Sequence, residues 1–550
     1  MGGQWLRWLL LAIVLASPAA DASLEAQSQD DAFLASLGEL REATFIDKEA
    51  IAERMIAAGH PRARAALTAL LEDRLYFRSA DNKIFLVKNA DADQTSYALV
   101  DPLTGGDAGE APPETMTKIG SNNRLRRSLR TTLAHFGLSS PDAAVRLSAI
   151  QDMLRSLDEA SVALLRERQN VETDPTVRTA IETGLAMADL DGSDPAARLA
   201  AIQTLSSRVG SDVRNRLARF AERTPDGSFV ESDAAVREAA AAALEKIDSR
   251  RAIYSAIETL FFGLSLGSVL VLIAIGLAIT FGVMGVINMA HGELMMLGAY
   301  TTYLVQVAMP QNLDASIFVA IPAAFVVAGA VGVLIERTII RFLYGRPLET
   351  LLATFGLSLV LQQLVRSMFS ALNRSVATPS WMSGTLQFNE ALGITYNRLY
   401  IVIFTLIIFG LLSMVLKRTR LGLDIRAVSQ NRAMARAMGV RSGRVDAMTF
   451  GLGAGIAGVA GVALSQLTNV GPNLGQAYII DSFMVVVFGG VGNLWGTLIG
   501  GMSLGIINKL LEPYSGAVLA KIFVLVALIL FIQRRPRGLF PQTGRAAESQ

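Results

Sequence analysis

Apolar positions divide the chain into two halves. Up to about Arg251 they alternate with many charged residues, whereas long apolar runs dominate the remainder. Between Thr259 and Ile287 there is no Asp, Glu, Lys, Arg or His, and about 20 apolar residues suffice to cross a bilayer. Apolar segments fall at about 258–280, 288–308, 316–336, 350–370, 399–416, 446–468, 480–492, 494–511 and 517–533. The pattern predicts an all-α chain whose membrane domain, residues 256–540, is a polytopic helical bundle of about 8–9 spans.

Lysine and arginine in the loops predict how the spans are oriented. The loops rich in these residues, predicted to be cytoplasmic, are 337–346, 417–444 and 534–537. The loops without them, predicted to lie outside, are 309–315 and 469–479. Residue 256 is then outside and the C-terminus is inside. The short segments 480–492 and 494–511 either both cross or form a re-entrant hairpin, and both alternatives give the same orientation.

The start of the chain predicts export. Arg7 precedes an apolar run that ends at Ala16, and small residues follow, which is the order found in secretory signal peptides. The run is too short to span a membrane as a mature helix. We therefore expect a signal peptide at residues 1–22, cleaved after Ala19 or Ala22, with an uncleaved anchor as the alternative.

Residues 23–250 repeat one helical phrase, in which a capping residue is followed by Pro or Ala and then by an arginine. The copies begin at His60, Asp142, Asp174, Asp194 and Asp233. Asp followed by Pro is a favoured helix start. The phrase resembles HEAT-like repeats despite its irregular spacing, and a helical domain without true repeats is the alternative. Segments 83–88 and 96–100 predict a short strand pair, and 101–113 a loop.

Composition narrows the possible functions. The net charge of +2 gives no reason to expect a nucleic-acid partner. The absence of cysteine excludes thiolate metal sites and cysteine nucleophiles, and the few histidines lack metal-ligand spacing. The chain has no phosphate-binding G-x-x-x-x-G-K-[ST] loop. We therefore predict a protein that is not an enzyme and that binds no metal or cofactor itself.

A polar cluster lies between two apolar runs near residue 290. An amide, an imidazole and a carboxylate within six residues are costly in a membrane unless they face protein, water or a substrate. A short cytoplasmic turn is the plain alternative, and polar contacts between helices are the alternative for the other polar residues of the spans. The residues predicted to line a substrate pathway are Asn288, His291, Glu293, Gln362, Gln363 and Asn493. Of these, Asn288, Gln362 and Asn493 are predicted to approach one central pathway, with Glu293 near its cytoplasmic end.

Two segments of the membrane domain resemble the motifs of a known family. Residues 280–293 and 488–497 resemble the motifs of the branched-chain amino acid permease family of ABC importers, and the resemblance covers about 256–540. It implies a multi-pass subunit of the bacterial inner membrane. It also implies a second permease subunit, two ATPase subunits that use the ATP, and a periplasmic substrate-binding protein as partners, in a surrounding of membrane lipid.

The segment 419–440 is more than a basic loop. Its pattern predicts a short amphipathic helix that ends at a glycine, and it resembles the coupling helix through which such permeases contact the ATPase. The alternative explanation for its arginines is the positive-inside rule alone, by which cytoplasmic loops are rich in Lys and Arg. The residues predicted to couple are Gly422, Arg426, Ala427, Asn431, Ala435 and Gly439.

The substrate prediction rests on the extension and on the polar residues of the spans. A long secreted extension before the permease resembles the urea-importer branch of the family. A neutral amide needs amide and hydroxyl partners, whereas a zwitterionic amino acid needs opposed charges or helix termini. Few charges accompany the polar residues, so we predict urea import. A branched-chain amino acid permease, a passive urea or amide channel and a membrane-anchored scaffold remain alternatives.

Overall fold

The structure, a computed structural model, describes residues 29–88, 96–155, 157–223 and 229–540. It divides into an N-terminal unit, Met1–Asp248, and a membrane unit, Ser249–Gln550. Helix α10 (Ala234–Met284) begins in the first unit and ends in the second. The predicted signal peptide at residues 1–22 lies outside the described residues.

Most of the N-terminal unit is helical. Its helices are α1 (29–42), α2 (Phe45–Ala57), α3 (Ala63–Leu71), α4 (Asn123–Leu138), α5 (Ala143–Leu154), α6 (Glu159–Gln169), α7 (Pro175–Asp189), α8 (Pro195–Leu205), α9 (Ser211–Ala221) and the first part of α10. The repeated phrases start helices because the carboxylates of Asp142, Asp174, Asp194 and Asp233 accept hydrogen bonds from first-turn N–H groups. A shared core of Leu, Ile, Val, Met and Ala side chains from α4 to α10 joins these helices.

Two buried salt bridges join equivalent positions of the repeat. The guanidinium of Arg146 donates two hydrogen bonds of 2.9 Å to the carboxylate of Glu172, and Arg198 pairs with Glu231. Each glutamate precedes the capping aspartate of a following phrase and accepts a hydrogen bond from that aspartate's backbone N–H. The sequence Glu-Ser/Thr-Asp thus belongs to the repeat, a signal that the sequence analysis missed.

A five-stranded antiparallel sheet is inserted between α3 and α4. Its strands are β1 (Leu75–Arg78), β2 (Ile84–Val87), β3 (Tyr97–Val100), β4 (Asp107–Ala111) and β5 (Met116–Lys118), in the order β4-β3-β2-β1-β5. The predicted strand pair is β2 with β3. The prediction of a loop over 101–113 holds for residues 101–106 but is wrong for Asp107–Ala111, which pair with β3. Asp, Gly and Glu are poor strand formers, so pairing with a neighbour decides this strand.

The membrane unit is built from long helices and one hairpin. Its helices after α10 are α11 (His291–Ala308), α12 (Leu313–Thr338), α13 (Pro347–Phe369), α14 (Tyr396–Arg418), α15 (Arg420–Gln430), α16 (Arg432–Ala437), α17 (Ser442–Ser465), α18 (Leu474–Gly489) and α19 (Leu494–Arg534). The strands β6 (Thr385–Asn389) and β7 (Leu392–Thr395) pair between α13 and α14. Helices α10 and α17 are largely buried within the unit, whereas α12, α13, α14 and α19 expose apolar side chains.

Six helices in the described part of the chain are long and apolar enough to cross a membrane, namely α10, α12, α13, α14, α17 and α19. The polytopic helical fold is therefore confirmed. The predicted number of about 8–9 spans is higher for three reasons. Segment 288–308 forms α11, whose 18 residues are less apolar, and 480–492 belongs to α18, which has only 16 residues. Segments 494–511 and 517–533 are counted together as α19. Non-helical backbone at Gly516, with a φ of 76°, divides α19 into two helices, and Asn493 at its start contacts Phe540 beyond its end.

Small residues allow the central helices to approach closely. A Cβ placed on Gly298 of α11 would lie 2.0 Å from the carbonyl oxygen of Gly458 in α17. One placed on Gly458 would lie 2.5 Å from the carbonyl oxygen of Ala324 in α12. Backbones this close are typical of helix packing in lipid. They fix α11, α12 and α17 as one packed group.

Candidate functional site

The chain folds back on itself after α10. Helix α10 ends at Met284, yet His291, the first residue of α11, lies about three helical turns back along α10. Its Nε2 donates to the carbonyl oxygen of Ile273 at 3.0 Å. Residues 285–290 are non-helical and therefore lie beside α10, inside the membrane unit. Irregular backbone at such depth is tolerated where it is buried in protein or lines an aqueous cavity.

A second short helix, α18, meets α11 at this place. A Cβ placed on Gly292 would lie 2.5 Å from the carbonyl oxygen of Gly475, and one placed on Gly475 would lie 2.4 Å from the carbonyl carbon of Gly292. The first turns of α11 and α18 are therefore in backbone contact. Helix N-termini carry partial positive charge, and interrupted helices that begin inside a membrane protein are typical of substrate sites in transporters.

Helix α13 supplies side chains to the same place. Gln362 donates from Nε2 to Glu293 Oε1 at 2.8 Å and to Ser358 Oγ at 3.1 Å. Two turns earlier, Thr354 Oγ1 accepts a hydrogen bond of 3.1 Å from the backbone N–H of Met289. The side chains of Glu293 and Gln362 are almost fully buried. This arrangement places a carboxylate among amide and hydroxyl groups.

Three of the polar atoms near the start of α11 are buried without a hydrogen-bond partner among the described residues. They are Asn288 Nδ2, His291 Nδ1 and Glu293 Oε2. Buried polar groups are rarely left unsatisfied. A donor and a carboxylate acceptor are thus available to water or to a polar solute at the start of α11. We define this region, with Gln362 and Gly475, as the central polar site.

The other two predicted pathway residues have different neighbours. Gln363 follows Gln362 but points away from it around the helix, and its side chain is exposed. Asn493 accepts a hydrogen bond of 3.1 Å from the N–H of Gly496 at the start of α19. It also donates to the carbonyl oxygen of Phe540 at 3.5 Å. The structure brings Asn288, His291, Glu293 and Gln362 together, whereas Asn493 caps a helix beside the C-terminal tail.

One cation also lies beside the central polar site. Arg366, one turn beyond Gln362 on α13, donates from Nη2 to Oδ1 of Asn473 at 2.7 Å. Asn473 immediately precedes α18. The site therefore has a carboxylate on α11 and a guanidinium near the start of α18, a charge arrangement that the sequence analysis did not predict.

The predicted coupling segment forms two helices rather than one. Asn431 is extended between α15 and α16, and its Oδ1 caps α16 by accepting a hydrogen bond of 2.9 Å from the N–H of Met434. The predicted glycine stop is Gly439, whose φ of 87° is readily adopted only by glycine. We call residues 420–439 the coupling segment.

The faces of the coupling segment differ from the sequence-based expectation. A Cβ on Gly422 would lie 2.1 Å from the carbonyl oxygen of Leu416, and Ala435 is buried, so both residues pack inward. Arg426 hydrogen-bonds the carbonyl of Leu416 from the exposed side, and Ala427 is half-buried. The large exposed apolar side chains of the segment are Leu423, Met434 and Met438.

One ion pair between two helices of the membrane unit was not expected from the sequence. Lys521 of α19 lies 3.0 Å from the carboxylate of Asp481 in α18. The lysine is half-exposed and the aspartate nearly buried. Charged residues within spans are rare and often functional. Asp481 and Lys521 lie in different apolar segments and far apart in the sequence, so the sequence alone does not indicate that they pair.

Comparison with known proteins identifies the class. Residues 259–532 match the family described as "Branched-chain amino acid transport system / permease component". The chain is 33% identical over 298 residues to the high-affinity branched-chain amino acid transport system permease protein BraD of Pseudomonas aeruginosa, covering 96% of that protein and 52% of this chain. It is also 33% identical over 294 residues to LivH of Escherichia coli K12, covering 94% of that protein and 52% of this chain. The chain therefore belongs to the branched-chain amino acid permease family of ABC transporters.

More distant similarity extends to a permease of another named substrate. The ribose import permease protein RbsC of Escherichia coli K12 is 26% identical over 289 residues, with 85% of that protein and 50% of this chain covered. No solved structure matches the chain significantly. With its membrane-spanning helices, the chain is a polytopic permease subunit of the bacterial inner membrane.

Proposed function

We propose that this chain is the permease subunit of an ATP-driven importer that moves urea into the cytoplasm. A second permease, two ATPase subunits and a periplasmic substrate-binding protein complete the transporter. Family membership supports the importer assignment. Residues 23–250 lie in the periplasm and the C-terminus lies in the cytoplasm. The loop charge bias supports this orientation.

The observation that carries the urea assignment is the chemistry of the central polar site. Urea needs acceptors for its amide hydrogens and donors for its carbonyl oxygen. Glu293 Oε2 is a free buried acceptor and Asn288 Nδ2 a free buried donor among the described residues. Gln362 holds the other carboxylate oxygen of Glu293. Burying an amide without hydrogen-bond partners costs roughly 2–7 kcal/mol of free energy. The free donor and acceptor of this site would supply such partners, and they therefore favour a neutral amide along this route.

The first turn of α11 also disfavours an added carboxylate. Glu293 lies in that turn and already compensates the partial positive charge of the helix start. A second carboxylate there would meet like charge, whereas urea would not. The N-terminal unit is a further support. The family match covers residues 259–532 and leaves this unit outside it, and a long extension ahead of the permease resembles the urea-importer branch of the family.

Branched-chain amino acid import is the second candidate, and one observation favours it. The starts of α11 and α18 meet, and two residues one turn apart on α13 bond to these helix starts: Gln362 to Glu293 of α11 and Arg366 to Asn473 before α18. A zwitterion would place its ammonium group at the glutamate and its carboxylate at the arginine and the start of α18. The names of the relatives agree with this candidate.

Uptake experiments separate the two substrates. Cells expressing the full transporter are given labelled urea or labelled leucine, with Arg366→Gln and Asn288→Leu variants alongside the wild type. Urea import predicts urea uptake that falls in the Asn288→Leu variant and persists in Arg366→Gln. Leucine uptake without urea uptake, abolished by Arg366→Gln, would replace the first candidate by the second.

A further inference from the structure

A network built around two buried carboxylates joins the coupling segment to two spans. Arg432, the first residue of α16, donates from Nη1 and Nη2 to the two carboxylate oxygens of Asp446 in α17, at 2.7 and 3.0 Å. Asp446 is almost fully buried. Such a bidentate pair fixes both position and orientation, since the planar guanidinium matches the carboxylate. The start of α16 is therefore held against the first turns of α17.

Tyr344 extends the network to α12. The Arg432 guanidinium lies 5.0 Å from the centre of the Tyr344 ring, and the tyrosine hydroxyl donates to Glu336 Oε1 at 2.8 Å. Burial and the nearby carboxylates of Asp446 and Glu336 raise the pKa of Tyr344, so the hydroxyl remains a donor. Arg432 thus connects a carboxylate on α17 directly, and one on α12 through a single aromatic ring.

Apolar packing makes the coupling segment rigid around this network. Ile425, Val428 and Ala435 pack with Val445 of α17 in one buried cluster. Removing a charged side chain from such a place leaves its partner buried and unpaired, which is strongly unfavourable. The segment and the start of α17 are therefore expected to move together.

A short packed route leads from the network to the central polar site. Two turns beyond Asp446, a Cβ on Gly453 would lie 2.8 Å from the carbonyl oxygen of Gly276 in α10. A Cβ on Gly276 would in turn lie 2.8 Å from Cε1 of His291. Close-packed interiors transmit displacement because they have little free volume. A shift of α17 thus reaches the start of α11 through one contact between backbones and one contact between backbone and the His291 imidazole.

We propose that Arg432 and Tyr344 are positioning residues that pass movement of the coupling segment to α17 and α12, and hence to the central polar site. This inference rests on the proposed function, because it assumes that an ATPase moves the segment. Neither residue belongs to the central polar site. Their role is to convert ATPase movement into rearrangement of the spans without slippage.

The test is the ratio of substrate imported to ATP hydrolysed by the complete transporter in proteoliposomes. We expect Arg432→Gln and Tyr344→Phe to keep the ATPase subunits bound and hydrolysing. Uptake per ATP should fall roughly tenfold in Arg432→Gln, the scale of one charged hydrogen bond, and less in Tyr344→Phe. Arg432→Lys keeps the charge but loses the bidentate geometry and should be intermediate. The matched control is Arg441→Gln, which removes an exposed arginine outside the coupling segment.

The outcomes separate this inference from the proposed function. Unchanged uptake per ATP in Arg432→Gln and Tyr344→Phe, at wild-type amounts of assembled transporter, would overturn the link alone. Loss of assembled transporter with a normal ratio in what remains would show a purely structural role and would also overturn it. Wild-type proteoliposomes without ATP-dependent uptake of any tested solute would overturn the proposed function, and the link with it.

Discussion

The hydrogen bond between Gln362 and Glu293 gives a sharp test of the central polar site. Glu293 is 1% exposed, one of its carboxylate oxygens accepts from Gln362 at 2.8 Å, and the other has no partner among the described residues. Gln362→Leu removes that donor and leaves the carboxylate buried with both oxygens short of partners. A hydrogen bond to a charged group contributes about 1.5–3 kcal/mol. Loss of this size corresponds to a change of roughly 10- to 150-fold in an equilibrium or rate constant.

Two measurements on each variant distinguish stability from transport. The first is thermal unfolding of the purified transporter, and the second is uptake of labelled substrate at equal amounts of transporter in the membrane. Gln362→Leu should lower both. The double variant Glu293→Leu/Gln362→Leu should recover much of the stability, because removing both partners leaves no orphaned charge. It should not recover uptake, because the acceptor for the substrate is gone.

The matched control is Gln363→Leu, an identical substitution one position along the same helix. Its side chain is exposed, so this variant should retain wild-type stability and uptake. If Gln362→Leu and Gln363→Leu behave alike in both measurements, the assignment of the central polar site is wrong. Uptake restored in the double variant would show that Glu293 serves packing rather than substrate.

Three further predictions follow from other parts of the chain. Burial opposes ionisation of Glu172, but the hydrogen bonds from Arg146 and nearby groups outweigh it and hold its pKa at about 2. This stabilisation is complete above pH 4.5, the pKa of the glutamate in the unfolded chain, and should be lost as the pH falls from about 4.5 towards 2. Proteolysis of the N-terminal unit should accelerate over that pH range. Glu172→Gln should remove this pH dependence, and an unchanged profile would contradict the assignment. Gly298→Leu, placed where a Cβ would already lie 2.0 Å from backbone, should abolish assembly on gel filtration, and normal assembly would refute the close packing. Leu423→Asp and Met438→Asp, at exposed apolar positions of the coupling segment, should prevent co-purification of the ATPase subunits with the permease still in the membrane, and undiminished co-purification would show that this face is not the docking surface.

Apolar patterning predicts the membrane unit well because each span needs a long run without charge. It places Gly516 between two apolar segments, and the backbone there is non-helical and separates two helices. It cannot show that α11 starts beside Ile273, since the fold-back of 285–290 depends on contacts between distant helices.

The candidate site could be predicted only in part, for a related reason. The proximity of Asn288, His291 and Glu293 follows from their spacing in sequence, but the choice of Gln362 over Gln363 depends on which side of α13 faces α11. Asn493 is polar and close to an apolar run, yet its side chain caps a helix. Sequence gives the residue types present in the spans, and three-dimensional packing decides which of them share a site.

The most direct measurement of the central claim is solute uptake by proteoliposomes that contain the complete transporter, with and without ATP on the ATPase side. We expect labelled urea to accumulate above its external concentration, and we expect this accumulation to require ATP and the substrate-binding protein. We also expect no urea flux through vesicles that contain this chain alone. Urea equilibration through the chain alone, independent of ATP, would contradict the account and identify a passive channel.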